Sequence, residues 1–543
     1  MSHLISRYFH TLRHLRPVQL YGRIWFRLNR PRPDLSPPPP RRPMKGRWTA
    51  PAQRTQSLVG PRRFRFLNIE GDLDVLGWDG ADPGKLWRYN QHYFDDLVAK
   101  GSDERADWHR QLIESWIQGN PPGFGTAWEP YPTSLRIVNW IKWMLAGRSA
   151  SPAMLHSLAI QSRYLERRLE RHLLGNHLFA NAKALMFAGL FFEGHEAARW
   201  LAIGRGVLRR ELAEQVLPDG AHFELSPMYH ALALEDALDL INAFEAFGEP
   251  SAACAAVSND LRQAVSRMQE WLAAMTHPDG GIAFFNDTAF GISPAPAVLE
   301  EYAQRLGLGA RPPRRRGLMA DSGYARLDRG DACLIADVAR VGPDYIPGHA
   351  HADTLSFEFS LGRARIVVNS GVSEYGVGAE RLRQRGTAAH NTVVVDGEDS
   401  SEVWSGFRVA RRARPRDVTL EDRPEAVVLA GAHDGYTRWR HGPLHRRRWI
   451  LSANNLSIAD TLTDARRPAE ARFHLHPDVQ VEIDDANAGR LILPDGRQLR
   501  WKSGTPTHVE PTTWHPGFGE SVPNLCLSVP LSEGQADFAL MWD

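Results

Sequence analysis

From about residue 84 to residue 305, apolar positions return every three to four residues, the period of an amphipathic helix. Trp108-His109-Arg110-Gln111-Leu112-Ile113-Glu114-Ser115-Trp116-Ile117 predicts one helix and Ser134 to Leu145 another. The same period predicts helices near 153–173, 177–192, 195–216, 227–247 and 252–276, separated by short breaks such as Pro218-Asp219-Gly220 and Pro278-Asp279-Gly280-Gly281. Long helices joined by short loops are antiparallel neighbours, so the unit is a stacked αα-hairpin. Such hairpins close into an incomplete (α/α) toroid, here without a strict sequence repeat. Beyond Leu318 the period changes to two. Cys333 to Val338, Arg365 to Val368, Asn391 to Gly397, Arg448 to Ser452 and Ala471 to His476 read as strands between turn signals, which predicts an antiparallel β-sandwich.

The change of period falls at Leu306 to Leu318, around Arg311-Pro312-Pro313-Arg314-Arg315-Arg316-Gly317. The expected organisation is an N-terminal arm and Pro/Arg-rich linker over 1–80, a toroid over 81–310 and a sandwich over 319–543. Within the arm, residues 1 to about 30 mix bases and aromatics and suggest a short amphipathic helix. Residues 31–52, with Pro37-Pro38-Pro39-Pro40, are excluded from helix and read as an extended or wrap-around segment.

The alternation that starts the sandwich carries unusual chemistry. In Pro347-Gly348-His349-Ala350-His351-Ala352-Asp353-Thr354-Leu355-Ser356-Phe357-Glu358-Phe359, a strand starting early would turn His349, His351 and Asp353 to the same face as Leu355, Phe357 and Phe359. Two imidazoles and a carboxylate at the start of a core strand fit either a hydrogen-bonded strand end or a metal or catalytic site at the domain rim.

Composition narrows the classes. A chain of 543 residues with 43% hydrophobic and 24% charged residues is globular and long enough for two or three domains. A net charge of +2 gives no global reason to bind nucleic acid, although arginines cluster at 311–316, 408–416 and 446–448. Such runs are solvated surface or attract a polyanion. Three distant cysteines, Cys254, Cys333 and Cys526, give no disulfide framework or cysteine zinc site. The N-terminus lacks an apolar signal core, and no segment is long enough to span a bilayer, so a cytoplasmic location is expected, with other export routes left open.

Three further clusters accompany His349. Gly175-Asn176-His177-Leu178-Phe179-Ala180-Asn181 opens an Ala/Leu-rich helix, where Asn176 is an N-cap or a functional amide and His177 shares a face with Asn181. In Asp219 to His230, Ser226-Pro227 is a helix start that places Tyr229 in the first turn, where the helix dipole should lower its pKa from about 10. The last runs from Asn369-Ser370-Gly371 through Tyr375 to His390-Asn391-Thr392. His351, a side chain near 369 and His390 are spaced like ligands drawn from neighbouring strands.

As a set these motifs resemble the heparinase II/III-like and alginate-lyase-like polysaccharide lyases, over roughly residues 80 to 480 and, more faintly, through His433-Asp434-Gly435-Tyr436. The resemblance implies a toroid, a β-sandwich and a cleft between them. It also implies β-elimination on a uronic-acid-containing, anionic polysaccharide. Asn176 matches the amide that neutralises the uronate carboxylate, with His177 beside it. Tyr229 matches the catalytic tyrosine and His349 the catalytic histidine, with Tyr375 a substitute base. His351, Asn369 and His390 match the metal-ligand positions, so zinc is the implied cofactor and no organic cofactor is. Two departures stand out. Asn369 replaces the usual aspartate, so zinc is expected to bind weakly or not at all, and Ala180 stands where many relatives carry glutamate. Asn90, His92, Trp128, Tyr131, Arg136 and Glu224 are the candidate substrate-lining residues, with packing between helices the equal alternative for Trp128 and Tyr131. Two other readings stay open: a glycoside hydrolase on the same toroid using carboxylates such as Glu224 and Asp353, and a non-catalytic polysaccharide-binding protein of exopolysaccharide production. A monomer or homodimer is expected.

Overall fold

The structure is a computed structural model that describes residues 2–80, 82–309 and 317–543. The helical half has two layers. Helices Pro130–Leu145, Gly175–Phe191 and Pro227–Phe247 touch one another in sequence and form an inner row. Helices Ala106–Gly119, Pro152–Glu166, His195–Gln215 and Ala252–Ala274 form the outer row. The chemistry of each row follows from its place. The inner helix Gly175–Phe191 is buried at every position from Leu178 onward, whereas the outer His195–Gln215 buries one stripe, including Trp200, Leu201, Val207 and Leu208. The predicted helices agree with these spans to within a few residues, except that 153–173 stops at Glu166 and gives way to an irregular 167–174.

The toroid ends with Pro296–Arg305, and the first strand of the β-domain is Gly317–Met319. The arginine run 311–316 lies outside the described residues. Among those described, the β-domain holds three large antiparallel sheets, of five, eight and four strands, besides a two-stranded ribbon of Val403–Trp404 with Arg408–Val409. The five-stranded sheet runs from Gly317 to Val367 in chain order, and the eight-stranded sheet has Gln535–Met541 between Asn455–Leu462 and Gln498–Ser503. A single apolar core joins all three. It takes Leu334, Phe357 and Phe359 from the first, Trp449, Leu456 and Phe538 from the second, and Val393, Phe473 and Leu527 from the third.

Two expectations need correction here. The strand expected to include His349 begins only at Phe357. Residues 349–356 are irregular, and Leu355 takes a left-handed backbone (φ 67°), so period-two alternation does not set the direction of His349 or His351. The run Arg446-Arg447-Arg448 is not wholly solvated either. In strand His445–Ser452 alternate residues turn inward, which buries Arg447 between exposed neighbours. Its guanidinium meets Asp460 at 2.7 and 2.8 Å and also binds the carbonyls of Leu355 and Asn391. Burial opposes ionisation of Asp460, but Arg447 and His445 outweigh it and hold the carboxyl at about 2. Replacing Asp460 by asparagine strands Arg447 and is expected to cost about 3–5 kcal/mol in chemical denaturation. Because the folded pKa is depressed, this contribution is complete above the unfolded carboxylate value of about 4 and fades as pH falls toward 2.

The N-terminal arm forms two helices, Ser2–Leu12 and Pro17–Leu28, followed by an extended segment. That segment is pinned to the toroid by Arg42 on the carbonyls of Leu190 and Phe192 and by Thr49 paired with the Asn242 amide. No helix among the described residues is long and apolar enough to cross a membrane.

Candidate active site

Each inner helix delivers its N-terminal turn to one place. Tyr131 begins Pro130–Leu145, Asn176 and His177 begin Gly175–Phe191, and Tyr229 begins Pro227–Phe247. All four side chains stay half-buried while the helices behind them are closed. Ser226 caps the Tyr229 helix as its sequence predicts, accepting the Tyr229 amide at 3.2 Å. The same hydroxyl donates to the carbonyl of Asp287 at 2.6 Å, tying the helix to the next part of the site. Asn176 is not an N-cap, because the helix starts one residue earlier behind Leu174. Its backbone N–H instead donates to Glu224 at 3.4 Å. Gly175 makes this approach possible: its φ is 54°, and a Cβ there would stand 2.8 Å from a Glu224 oxygen.

The β-domain meets this surface through two loops. His349 lies face-tilted on Tyr229 with ring centres 4.0 Å apart, and the Tyr229 and Tyr375 hydroxyls are 3.0 Å apart. The other oxygen of Glu224 faces His349 Nε2 at 3.5 Å, so one carboxyl bridges the asparagine of the toroid and the histidine of the sandwich. Asp287, fully buried, organises the rest. Its Oδ2 accepts from His349 Nδ1 at 2.8 Å, and its Oδ1 meets His351 Nε2 at 2.9 Å. The guanidinium of buried Arg381 binds both oxygens. Burial opposes the charge of Asp287, but Arg381 and the two imidazoles overcome it and hold the carboxyl well below the usual range. With Nδ1 turned to Asp287, Nε2 of His349 faces Glu224 at the cleft.

Tyr229 does not follow the helix-dipole expectation. Burial first, then Tyr375, Asp287 and Glu224, push Tyr229 well above the ordinary phenol value. Desolvation outweighs the helix terminus and keeps the hydroxyl protonated. Tyr375 is raised as well, by burial and Asp287. Burial likewise raises Glu224. His177 stacks near Tyr131 (4.3 Å) and faces Glu170 at 3.2 Å. Burial would lower its pKa, but Glu170 outweighs this and raises it. Asn181 holds the other oxygen of Glu170, which explains its shared face with His177.

Several expected lining residues are elsewhere. Arg136 is fully buried, bonded to Gln161 and to backbone carbonyls, and stacked 3.9 Å over Trp116. It has no path to a solute, and burial depresses its pKa. His92 is buried as acceptor for the Trp116 indole at 3.1 Å, and Trp128 packs between Trp116 and Tyr164. Asn90 bonds back to Leu86 of its own helix. For Trp128 the packing alternative holds. Tyr131 remains at the cleft. Asp287, Arg381 and Glu170 were missed. Asp287 lies in an Asn-Asp-Thr run after Phe284-Phe285, and a polar triplet after buried aromatics is the only sequence signal it gives.

The histidine pair fits a metal in part. His351 Nδ1 and His390 Nε2 stand 3.2 Å apart, close to the edge of a tetrahedron with bonds of about 2.0–2.1 Å. Asp287 on the far nitrogen of His351 would set that ligand's tautomer. Burial lowers His351 to about 4 and keeps both rings neutral. Asn369 fits less well. Its oxygen is shared among His390 and both nitrogens of Asn391, and its Nδ2 is buried without a partner. The carboxylate gathered with the two imidazoles is Asp353, all three within 4.8 Å.

The family models match both halves: "Heparinase II/III N-terminus" over residues 82–305 and "Heparinase II/III-like, C-terminal" over 311–539. The chain belongs to the heparinase II/III-like family of polysaccharide lyases. Among its relatives, "FtsZ-localized protein C" of Caulobacter vibrioides is 29% identical over 499 residues, covering 84% of this chain and 80% of the relative. A heparin-sulfate lyase of Bacteroides stercoris is 23% identical over 395 residues. That match covers 62% of this chain and 58% of the lyase. The solved structure of Heparinase III superposes with a TM-score of 0.66 at 19% identity, over 84% of this chain and 76% of that one. At that identity the likeness carries the fold.

Proposed function

We propose that this member of the lyase family cleaves a uronic-acid-containing, anionic polysaccharide by β-elimination. The supporting observation is the meeting of Tyr229 from the toroid with His349 from the sandwich, beside the Tyr375 hydroxyl. The C5 proton of a uronate becomes acidic when the neighbouring carboxylate is neutralised. The Asn176 amide does this, with raised His177 adding charge, at a point where inner-helix N-termini converge and favour an anion. His349 Nε2 takes the C5 proton. The C5 electron pair forms the C4=C5 double bond, the C4–O4 bond breaks, and O4 takes the proton held by Tyr229, with Tyr375 bonded behind it. On the other epimer Tyr375 serves as base. No water is consumed, and the product is an unsaturated uronate.

Incubation with a panel of uronate polymers is expected to raise the ultraviolet absorbance of the unsaturated product. Reducing ends appearing without that absorbance would instead favour hydrolysis, which needs two carboxylates flanking the bond. Glu224 and Asp353, the candidates for such a pair, are both buried. A second reading, polysaccharide binding without cleavage, is favoured by Asn369 at the metal position. Polymer binding with no new absorbance for any polymer would replace the lyase reading with this one.

Where zinc binds, His351, His390 and Asp353 would hold it, and its charge would brace the loop that carries His349. Asn369→Asp supplies a second carboxylate oxygen and is expected to raise zinc retention at least about tenfold, measured as bound metal after dialysis.

A further inference from the structure

The two N-terminal helices sit inside out. In Ser2–Leu12 the residues Leu4, Ile5, Tyr8, Phe9 and Leu12 share one face and are 42–64% exposed. In Pro17–Leu28 the residues Leu20, Tyr21, Ile24, Trp25 and Leu28 repeat the same spacing and are 54–75% exposed. The opposite side faces the protein, with polar anchors beside Val18 and Phe26, and Tyr8 at the stripe's edge meets Trp404. Ser6 accepts from Arg411, Thr11 accepts the Trp404 indole at 3.1 Å, and buried Gln19 donates to the Tyr345 carbonyl at 2.9 Å. Gly22 lies against His172, close enough that a Cβ would stand 2.9 Å from the His172 Cβ. The helices are therefore docked, with their apolar stripes turned outward. An apolar face of this extent marks a contact with another phase or partner.

The charge around the stripes selects the occupant. Seven arginines and no aspartate or glutamate precede Asp34. Arg13, Arg23, Arg27, Arg30 and Arg32 are exposed. A second copy would bring an equally cationic surface against this one, whereas an anionic bilayer complements it. Helices of 11 and 12 residues are too short to span a bilayer, which takes about 20, but they suit its interface. We propose that the N-terminal helix pair docks the protein on a membrane surface rich in anionic lipid, with the apolar stripes entering the headgroup boundary and the arginines meeting lipid phosphates.

The test is flotation of the full chain with phosphatidylcholine vesicles, with and without phosphatidylglycerol. Co-flotation with the anionic vesicles, weaker on pure phosphatidylcholine and reversed by salt, is expected. Ile24→Glu with Trp25→Glu should lower vesicle binding about tenfold or more, the scale of losing a buried large apolar side chain. Arg23→Glu with Arg27→Glu should weaken the anionic arm selectively. Far-UV circular dichroism and melting temperature should match wild type in both variants. Failure to float with anionic vesicles would overturn the proposal, as would unchanged binding by the Ile24/Trp25 variant. So would a concentration-dependent dimer that this variant dissociates, because the occupant would then be a second copy.

Discussion

Tyr229→Phe is expected to reduce turnover on the cleaved polymer at least about 100-fold, the usual scale for removing a general acid. Substrate binding and melting temperature should be nearly unchanged. The ring stays, so its stacking on His349 and its place above Ser226 persist. Only the hydroxyl is lost, and with it the proton that the proposed mechanism gives to O4. Its raised pKa matters here: a phenol held protonated by burial and by the acids around it is a donor throughout the neutral range. The loss should appear in kcat rather than KM, measured from initial rates of unsaturated product. A loss smaller than about tenfold would assign protonation of O4 to another group.

Asp287→Asn is expected to damage both stability and activity. The substitution keeps the shape but removes the charge that balances Arg381, which is fully buried and has no other carboxylate partner in the described structure. An unpaired buried guanidinium costs about 3–5 kcal/mol, read from chemical denaturation. The amide also presents hydrogens to His349 or His351, where the carboxylate accepted from both. The setting of His349 with Nδ1 turned to Asp287 is then no longer enforced, and turnover should fall on the order of 10²–10⁴-fold. A variant as stable as wild type would show that Arg381 finds its counter-charge elsewhere.

The sequence carried the architecture well because each layer has its own period. Inner and outer helices repeat at three to four, strands at two, and the change lies in the segment before Gly317. It also carried the residues whose local setting is distinctive, such as Ser226 capping the Tyr229 helix. It failed where a side chain acts only through distant partners. Asp287 gains its role from His349, His351 and Arg381, which lie 62 to 94 residues further along the chain. Arg136 failed in the other direction. An arginine in an aromatic-rich helix looks like a ligand for an anion, yet Gln161, three backbone and hydroxyl acceptors and Trp116 satisfy it inside the toroid. Pattern gave the charge and aromatic neighbours but not the side of the helix wall. Tyr229 shows the same limit in its electrostatics, since the helix start was visible and the burial was not.

Asp287 is also a mechanical fact. It sits on the stretch between the last two toroid helices yet is clamped by two imidazoles and a guanidinium from the other domain. Swinging the halves apart would tear a buried ion pair. Tyr229 and His349 are thus held ring against ring by the same clamp that joins the toroid to the sandwich.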